Sequence, residues 1–121
     1  MKIKYDLLVV GGGVLGTFHA YHALNKGLRV AVLEQSSRPQ GATTRNFGQV
    51  VPSGMNTKWQ NFGRESLAIY KAIQKEFDIT IRQNGSVYLA SNAEEVQLIE
   101  ELSDINKQNE YSSTLLTKAQ C

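Results

Sequence analysis

The sequence predicts an α/β protein, in which a parallel strand–helix–strand unit leads into the start of a mixed α+β region. Three observations carry that expectation. A short apolar run, Tyr5 to Val10, breaks off into Gly11-Gly12-Gly13. A helical pattern follows directly, and after it a second apolar run, Leu28 to Leu33, rich in β-branched residues. Beyond Asn56, helix signals flank a hairpin signal, the alternation of a mixed region.

Each element has its own local reason. Tyr5 to Val10 suits a strand buried on both faces, because apolar residues run on without alternation. From Val14 to Lys26, Gly16, Ala20, Ala23 and Gly27 recur at helical spacing, a stripe small enough to let a helix lie close against a sheet. Gly27 is placed to end that helix in a left-handed cap. Gln35 to Asn56 lacks either period and is rich in Gly, Ser, Thr, Asn and Gln. Connections of that length are uncommon and often functional.

A helix from Thr57 to Phe77 follows, with Trp59, Phe62, Ile69, Tyr70, Ile73 and Phe77 on one side. Ile79 and Ile81 alternate with polar residues, Asn84-Gly85 supplies a tight turn, and Ser86 to Ala90 forms the return strand of a hairpin. Asn92 with Glu95 forms a capping box that opens a helix through Lys107. Thr117-Lys118-Ala119-Gln120 repeats the capping pattern just before Cys121. A start signal without a helix body implies an N-terminal fragment of a longer protein.

Composition narrows the function. The 121 residues give room for one domain, or one and part of another, and 41% hydrophobic with 20% charged content is ordinary for a globular chain. A net charge of +2, with Lys and Arg scattered, argues against nucleic acid as a partner. One cysteine, Cys121, excludes an internal disulfide, argues against a cysteine metal site and fits a cytoplasmic location. Met1-Lys2-Ile3-Lys4 before Leu7-Leu8-Val9-Val10 mimics a secretory leader, but Asp6 and Gly11-Gly12-Gly13 interrupt it and no cleavage site follows. No apolar stretch reaches the ~20 residues of a membrane span.

Gly11-Gly12-Gly13-Val14-Leu15-Gly16 fits G-x-G-x-x-G, a weak match alone. Its context is stronger: a strand precedes it, a helix opens with it, and Glu34 closes the next strand at about the ~20-residue offset of a Rossmann-like FAD/NAD(P)-binding unit. Gly11 permits the turn, Gly13 lets a pyrophosphate approach the helix N-terminus, and Gly16 permits close helix–strand packing. Val14 and Leu15 open the first turn of that helix. Glu34 is placed to accept from ribose hydroxyls and to repel a 2′-phosphate, which disfavours NADP.

The stretch Gly41-Ala42-Thr43-Thr44-Arg45-Asn46-Phe47-Gly48-Gln49 is dense in hydroxyls and amides. It reads either as a solvated loop or as a second cofactor contact. A plain NAD-binding domain has a short connection here, so the insertion favours FAD. His19 and His22 lie three apart on the first helix without a carboxylate or cysteine nearby, so no metal site is expected. Glu94, Glu95, Glu100 and Glu101 read as a solvated helix face.

Together these motifs resemble the D-amino-acid oxidase-like FAD-dependent oxidoreductases, which include glycine and sarcosine oxidases. Within that family, Arg45 to Gln49 with Pro52, Gly54 and Asn84-Gly85-Ser86 resembles a bacterial branch associated with phosphonate catabolism. The resemblance implies two-electron oxidation of an amine: hydride passes from the substrate carbon to the flavin, the imine hydrolyses, and an acceptor reoxidises the cofactor. It implies a small amine or amino-acid-like substrate, or an aminophosphonate. It also places Glu34 and Gln35 at the adenosine ribose, Ala42 and Thr43 near the pyrophosphate, and Arg45, Asn46, Gly48 and Gln49 near the isoalloxazine. Thr43 stands where the family often has serine, keeping the hydroxyl.

The expected organisation is a flavin-binding part over residues 1–83 and the beginning of a substrate-binding domain over 84–121. Catalytic residues, electron acceptor, flavin attachment and oligomeric state are not readable from these residues. Two rival readings stand beside this one, an NAD-dependent dehydrogenase domain and a non-catalytic remnant. A 121-residue piece of such an enzyme is expected to be inactive by itself.

Overall fold

The computed structural model describes residues 3–120. The Met1-Lys2 start of the leader-like pattern and the thiol of Cys121 lie outside the described residues. The chain divides into two compact units, Met1–Gln49 and Val50–Cys121.

The first unit is a βαβ motif: β1 (Leu7–Val10), α1 (Val14–Asn25) and β2 (Val30–Leu33). The strands pair in parallel, with Leu7 opposite Val30 and Val10 opposite Leu33. The ladder runs one residue past each end. The Asp6 N–H donates to the Arg29 carbonyl at 2.8 Å, and the Gly11 N–H to the Leu33 carbonyl at 2.7 Å. Asp6 and Arg29 lock the lower end further, because Nε and Nη2 of the guanidinium reach Oδ2 and Oδ1 at 3.1 and 3.0 Å. That fork, with the Arg29 N–H, holds the Asp6 carboxyl down to about 2.

α1 packs as its small-residue stripe predicts. Ala20 and Ala23 are buried, and a Cβ on Gly16 would lie 3.1 Å from Val9 Cγ1 and 2.0 Å from the Gly11 carbonyl oxygen. The C-terminus closes as a Schellman motif. Gly27 has φ +79°, its N–H donates to the Leu24 carbonyl, and the Leu28 N–H donates to the Ala23 carbonyl. The expectation that β1 is buried on both faces does not hold. Leu8 is 56% and Val10 81% exposed, because one helix covers one face of a two-stranded sheet. The following loop carries a single regular piece, a 3-10 turn at Ala42–Arg45.

The second unit holds α2 (Thr57–Glu76) and α3 (Ala93–Gln108). Asn56 Oδ1 caps α2 by accepting the Trp59 N–H. Asn92 Oδ1 caps α3 by accepting the Glu95 N–H at 2.8 Å. The Glu95 carboxylate reaches one residue beyond the capping-box position and accepts the Ser91 N–H. The apolar side expected on α2 is covered only in part: Ile69, Tyr70 and Ile73 are half-buried. Trp59, Phe62 and Phe77 are exposed, whereas Gln60 is 0% exposed and donates through Nε2 to Asn106 Oδ1 of α3 at 3.0 Å.

The expected hairpin is not formed, and residues 78–91 contain no strand. The amides that would have started it are taken locally: Gln74 Oε1 accepts the N–H groups of both Ile79 and Ile81 at 3.0 Å. Asp78 Oδ1 accepts the Thr80 N–H. A lone two-stranded hairpin is marginal, so one side chain at the end of α2 outcompetes it. Gly85 nonetheless has the positive φ of a turn glycine, +79°. Thr117 and Gln120 do form a single capped turn, in which Gln120 Oε1 accepts the Thr117 N–H.

Candidate functional site

The site is built where β1 runs into α1. Gly11 leaves the strand at φ +100°, a conformation that side chains oppose. Gly12 and Gly13 then carry the chain to the helix, whose N-cap is Gly13 with no side-chain oxygen of its own. No acidic residue occupies the first turn of α1. With no acid in that turn, the helix dipole favours an anion at this end.

Remote side chains orient the junction. Glu34, one residue past β2, accepts the Gly12 N–H on Oε2 at 2.8 Å and the Ser36 N–H on Oε1 at 3.1 Å. Thr43, on the 3-10 turn, accepts the Val14 N–H on Oγ1 at 2.8 Å and so provides the cap that Gly13 lacks. Thr17, one turn into α1, donates its hydroxyl to the Gly12 carbonyl at 3.0 Å. The Gly12 N–H, then the Ser36 N–H and last the Gln35 N–H, hold the Glu34 carboxyl below its ordinary range against the opposing effect of burial.

The sequence-predicted residues divide into two groups. Gly11, Gly13, Val14, Leu15, Gly16, Glu34 and Thr43 lie at or around the junction. Gln35 follows Glu34 with its side chain exposed, and Ala42 opens the 3-10 turn. Arg45, Asn46, Gly48 and Gln49 lie farther along the same loop and are exposed. There Asn46 is engaged with its own loop: Nδ2 donates to the Ala42 and Thr43 carbonyls, and Oδ1 accepts the Gly48 N–H at 2.8 Å. Gly48 sits at φ +63°. His19, weighed and set aside in the sequence, lies with Nδ1 2.7 Å from the Leu15 carbonyl oxygen.

Sequence reasoning passed over three participants: Gly12 as a donor, Thr17 and Ser36. A hydroxyl in the first turn after a glycine run, with an available carbonyl behind it, was the signal for Thr17. Gly12 and Ser36 act through backbone amides, which carry no side-chain signature.

The geometry fits the diphosphate of a dinucleotide. A Cβ on Gly13 would lie 3.0 Å from Thr43 Oγ1, so the bare backbone there is a requirement of the cradle as built. Glu34 stands beside it with a carboxylate whose remaining lone pairs suit hydroxyl donors. No helix among the described residues is long and apolar enough to cross a membrane.

Comparison with known proteins agrees with this chemistry. Residues 6–121 match the family described as DAO, FAD dependent oxidoreductase. A glycine oxidase of Bacillus licheniformis is 31% identical over 99 residues, covering 74% of this chain and 27% of the relative. A glycine oxidase of Bacillus subtilis (strain 168) is 26% identical over 121 residues, covering 93% of this chain and 33% of the relative. The chain thus spans about a third or less of the length of these relatives. No solved structure matches it.

Proposed function

The chain belongs to the DAO family of FAD-dependent oxidoreductases, and from that premise we propose that it forms the ADP-holding part of an amine or amino-acid oxidase of the glycine oxidase kind. The observation that carries the reading is the junction itself, a helix N-terminus free of acidic side chains, flanked by Glu34 and Thr43. In this reading Gly13 and Leu15 present first-turn amides to the pyrophosphate, Val14 gives its amide to Thr43 beside it, and Glu34 with Gln35 meets the adenosine ribose. Ala42 and Thr43 flank the diphosphate, while Arg45, Asn46, Gly48 and Gln49 serve the isoalloxazine end. When bound, FAD supplies a two-electron acceptor for oxidation of a carbon–nitrogen bond.

Thr43 has one hydroxyl proton and two lone pairs. One lone pair is engaged by the Val14 N–H, so the proton is available to an incoming phosphate oxygen. The likeness to glycine oxidases supports glycine or a similarly small amino acid as substrate. The narrower reading, an aminophosphonate, is supported only by the resemblance at Arg45 to Gln49, Pro52, Gly54 and Asn84-Gly85-Ser86. Family resemblance also supports a functional division after Gln83, with residues 84–121 opening a substrate domain. Because the relatives are about three times longer or more, the 121-residue chain is expected to hold cofactor without turning substrate over.

Titration of the full chain with FAD, and separately with NAD, tests this reading. Saturable quenching of flavin fluorescence that Gly13→Val abolishes is the expected result. Preference for NAD overturns the flavin assignment.

A further inference from the structure

The two peptide units that meet at Gly12 are each gripped. The Gly12 N–H donates to Glu34 Oε2 at 2.8 Å, and the Gly12 carbonyl accepts the Thr17 hydroxyl at 3.0 Å. The preceding amide, Gly11, is tied to the Leu33 carbonyl at 2.7 Å, so two successive amides of the turn are fastened to the end of β2. Glu34 is itself steadied through its other oxygen by the Ser36 N–H at 3.1 Å. The fit around the grip is close: a Cβ on Gly12 would lie 3.4 Å from Glu34 Oε2 and from Pro39 Cγ.

A peptide unit is planar and trans. With the Gly12 carbonyl turned toward Thr17, the Gly13 N–H of the same unit points the opposite way, out of the helix end. We propose that Glu34 is a positioning residue for the glycine turn: by holding the Gly12 N–H it fixes the Gly11–Gly12 peptide, the base from which the next unit, turned by Thr17, presents the Gly13 N–H and the first turn of α1 to a pyrophosphate, a role separate from ribose recognition. The inference rests on the dinucleotide reading above and deepens it. The two roles are compatible, since an ionised carboxylate has about four lone-pair sites and the two amides occupy two of them.

The roles are separable by charge and by probe. Near an anion site, loss of the Glu34 charge would by Coulomb attraction alone strengthen phosphate binding. If Glu34 served only the ribose, its loss would not matter to a probe lacking ribose hydroxyls. The positioning role predicts the reverse in both respects.

The experiment uses the full chain and two probes, ADP and 2′,3′-dideoxy-ADP, against wild type, Glu34→Gln and Thr17→Val. Glu34→Gln keeps size and one acceptor but turns an amide donor toward the Gly12 or Ser36 N–H. It should weaken both probes by about tenfold, the scale of one charge-assisted hydrogen bond. Thr17→Val, which frees the adjoining Gly12–Gly13 unit without touching ribose, should weaken both as well, and the double variant should lose less than the two factors multiplied. In parallel, the Gly12 and Ser36 amide proton resonances should move with pH around a midpoint below the ordinary glutamate range, and cease to move in Glu34→Gln.

A Glu34→Gln loss confined to ADP, or a Gly12 amide indifferent to pH, overturns the positioning role. Failure of wild type to bind ADP or FAD overturns the flavin reading instead, and the Gly12 titration then decides the positioning role by itself.

Discussion

Gly16→Ala sets two rules against each other. Within a helix, alanine is favoured over glycine by about 1 kcal/mol, so local propensity predicts stabilisation. The packing predicts the opposite. The new Cβ would stand 2.0 Å from the Gly11 carbonyl oxygen, 3.1 Å from its carbon and 3.1 Å from Val9 Cγ1. An ordinary carbon–oxygen contact requires more than 1 Å of separation between α1 and the turn, in a place where backbone meets backbone and no side chain can swing aside. Overpacking of this kind costs about 1–3 kcal/mol, and a rigid obstacle puts the case at the upper end. Net of the propensity gain, a loss of about 2 kcal/mol follows, or a melting point lowered by roughly 10 °C in a chain of this size. Thermal unfolding followed by circular dichroism at 222 nm measures it. Two glycines serve as internal controls. Gly12→Ala meets only ordinary contacts at 3.4 Å and should change stability by less than about 0.5 kcal/mol. Gly41→Ala meets nothing within 4 Å at φ −83° and should stabilise by about 0.4–1 kcal/mol. A Gly16→Ala protein that melts at or above wild type refutes the close approach of α1 to the turn.

Two further outcomes are expected. Thr43→Val strips α1 of its remote cap and should cost about 0.5–1 kcal/mol, the low end for a cap because water reaches the Val14 amide, whereas Thr43→Ser should match wild type; equal melting of the two variants would mean that the bond to Val14 contributes nothing. For Asp6, a folded carboxyl held at about 2 against an ordinary 3.8 means that ionisation favours the fold. Its contribution is complete above about 3.8 and is lost as pH falls toward about 2, so Asp6→Asn should flatten the acid limb of the stability curve in that window, and more so at low salt.

Much of the first unit was legible because its signals are local. An apolar run, a glycine break and a small-residue stripe specify β1, the turn and α1 within a few residues of each other, and Gly27 ends the helix as its φ requires. The caps at Asn92 and the turn at Thr117 were legible for the same reason. What escaped was decided by competition or by distance. Gln74 claims two amides that the alternation at Ile79 and Ile81 had promised to a hairpin, and nothing in an alternating pattern registers a rival acceptor five residues upstream. Gln60 is the buried residue of α2 because Asn106 meets its amide, a pairing 46 residues apart that apolar periodicity is blind to. Thr43 was placed near the diphosphate by resemblance. Its bond to Val14, 29 residues away, is visible only in three dimensions.

The glycine motif explains less of the cradle than its prominence suggests. Glycines at 11, 13 and 16 contribute absences: no Cβ opposing φ +100°, none against Thr43, none against the turn. An absent side chain makes room, but it cannot orient a peptide, and a turn of three consecutive glycines is the most mobile sequence available for the task. Orientation comes from the three side chains that close on it, Glu34 from the strand, Thr43 from the loop and Thr17 from the helix, one from each element that meets there. The acid at the end of β2 thus has a structural bond to the turn whatever ligand it meets. A G-x-G-x-x-G turn that lacked the acid and the two hydroxyls would have the space for a pyrophosphate but only the strand's hold on Gly11 to fix its amides.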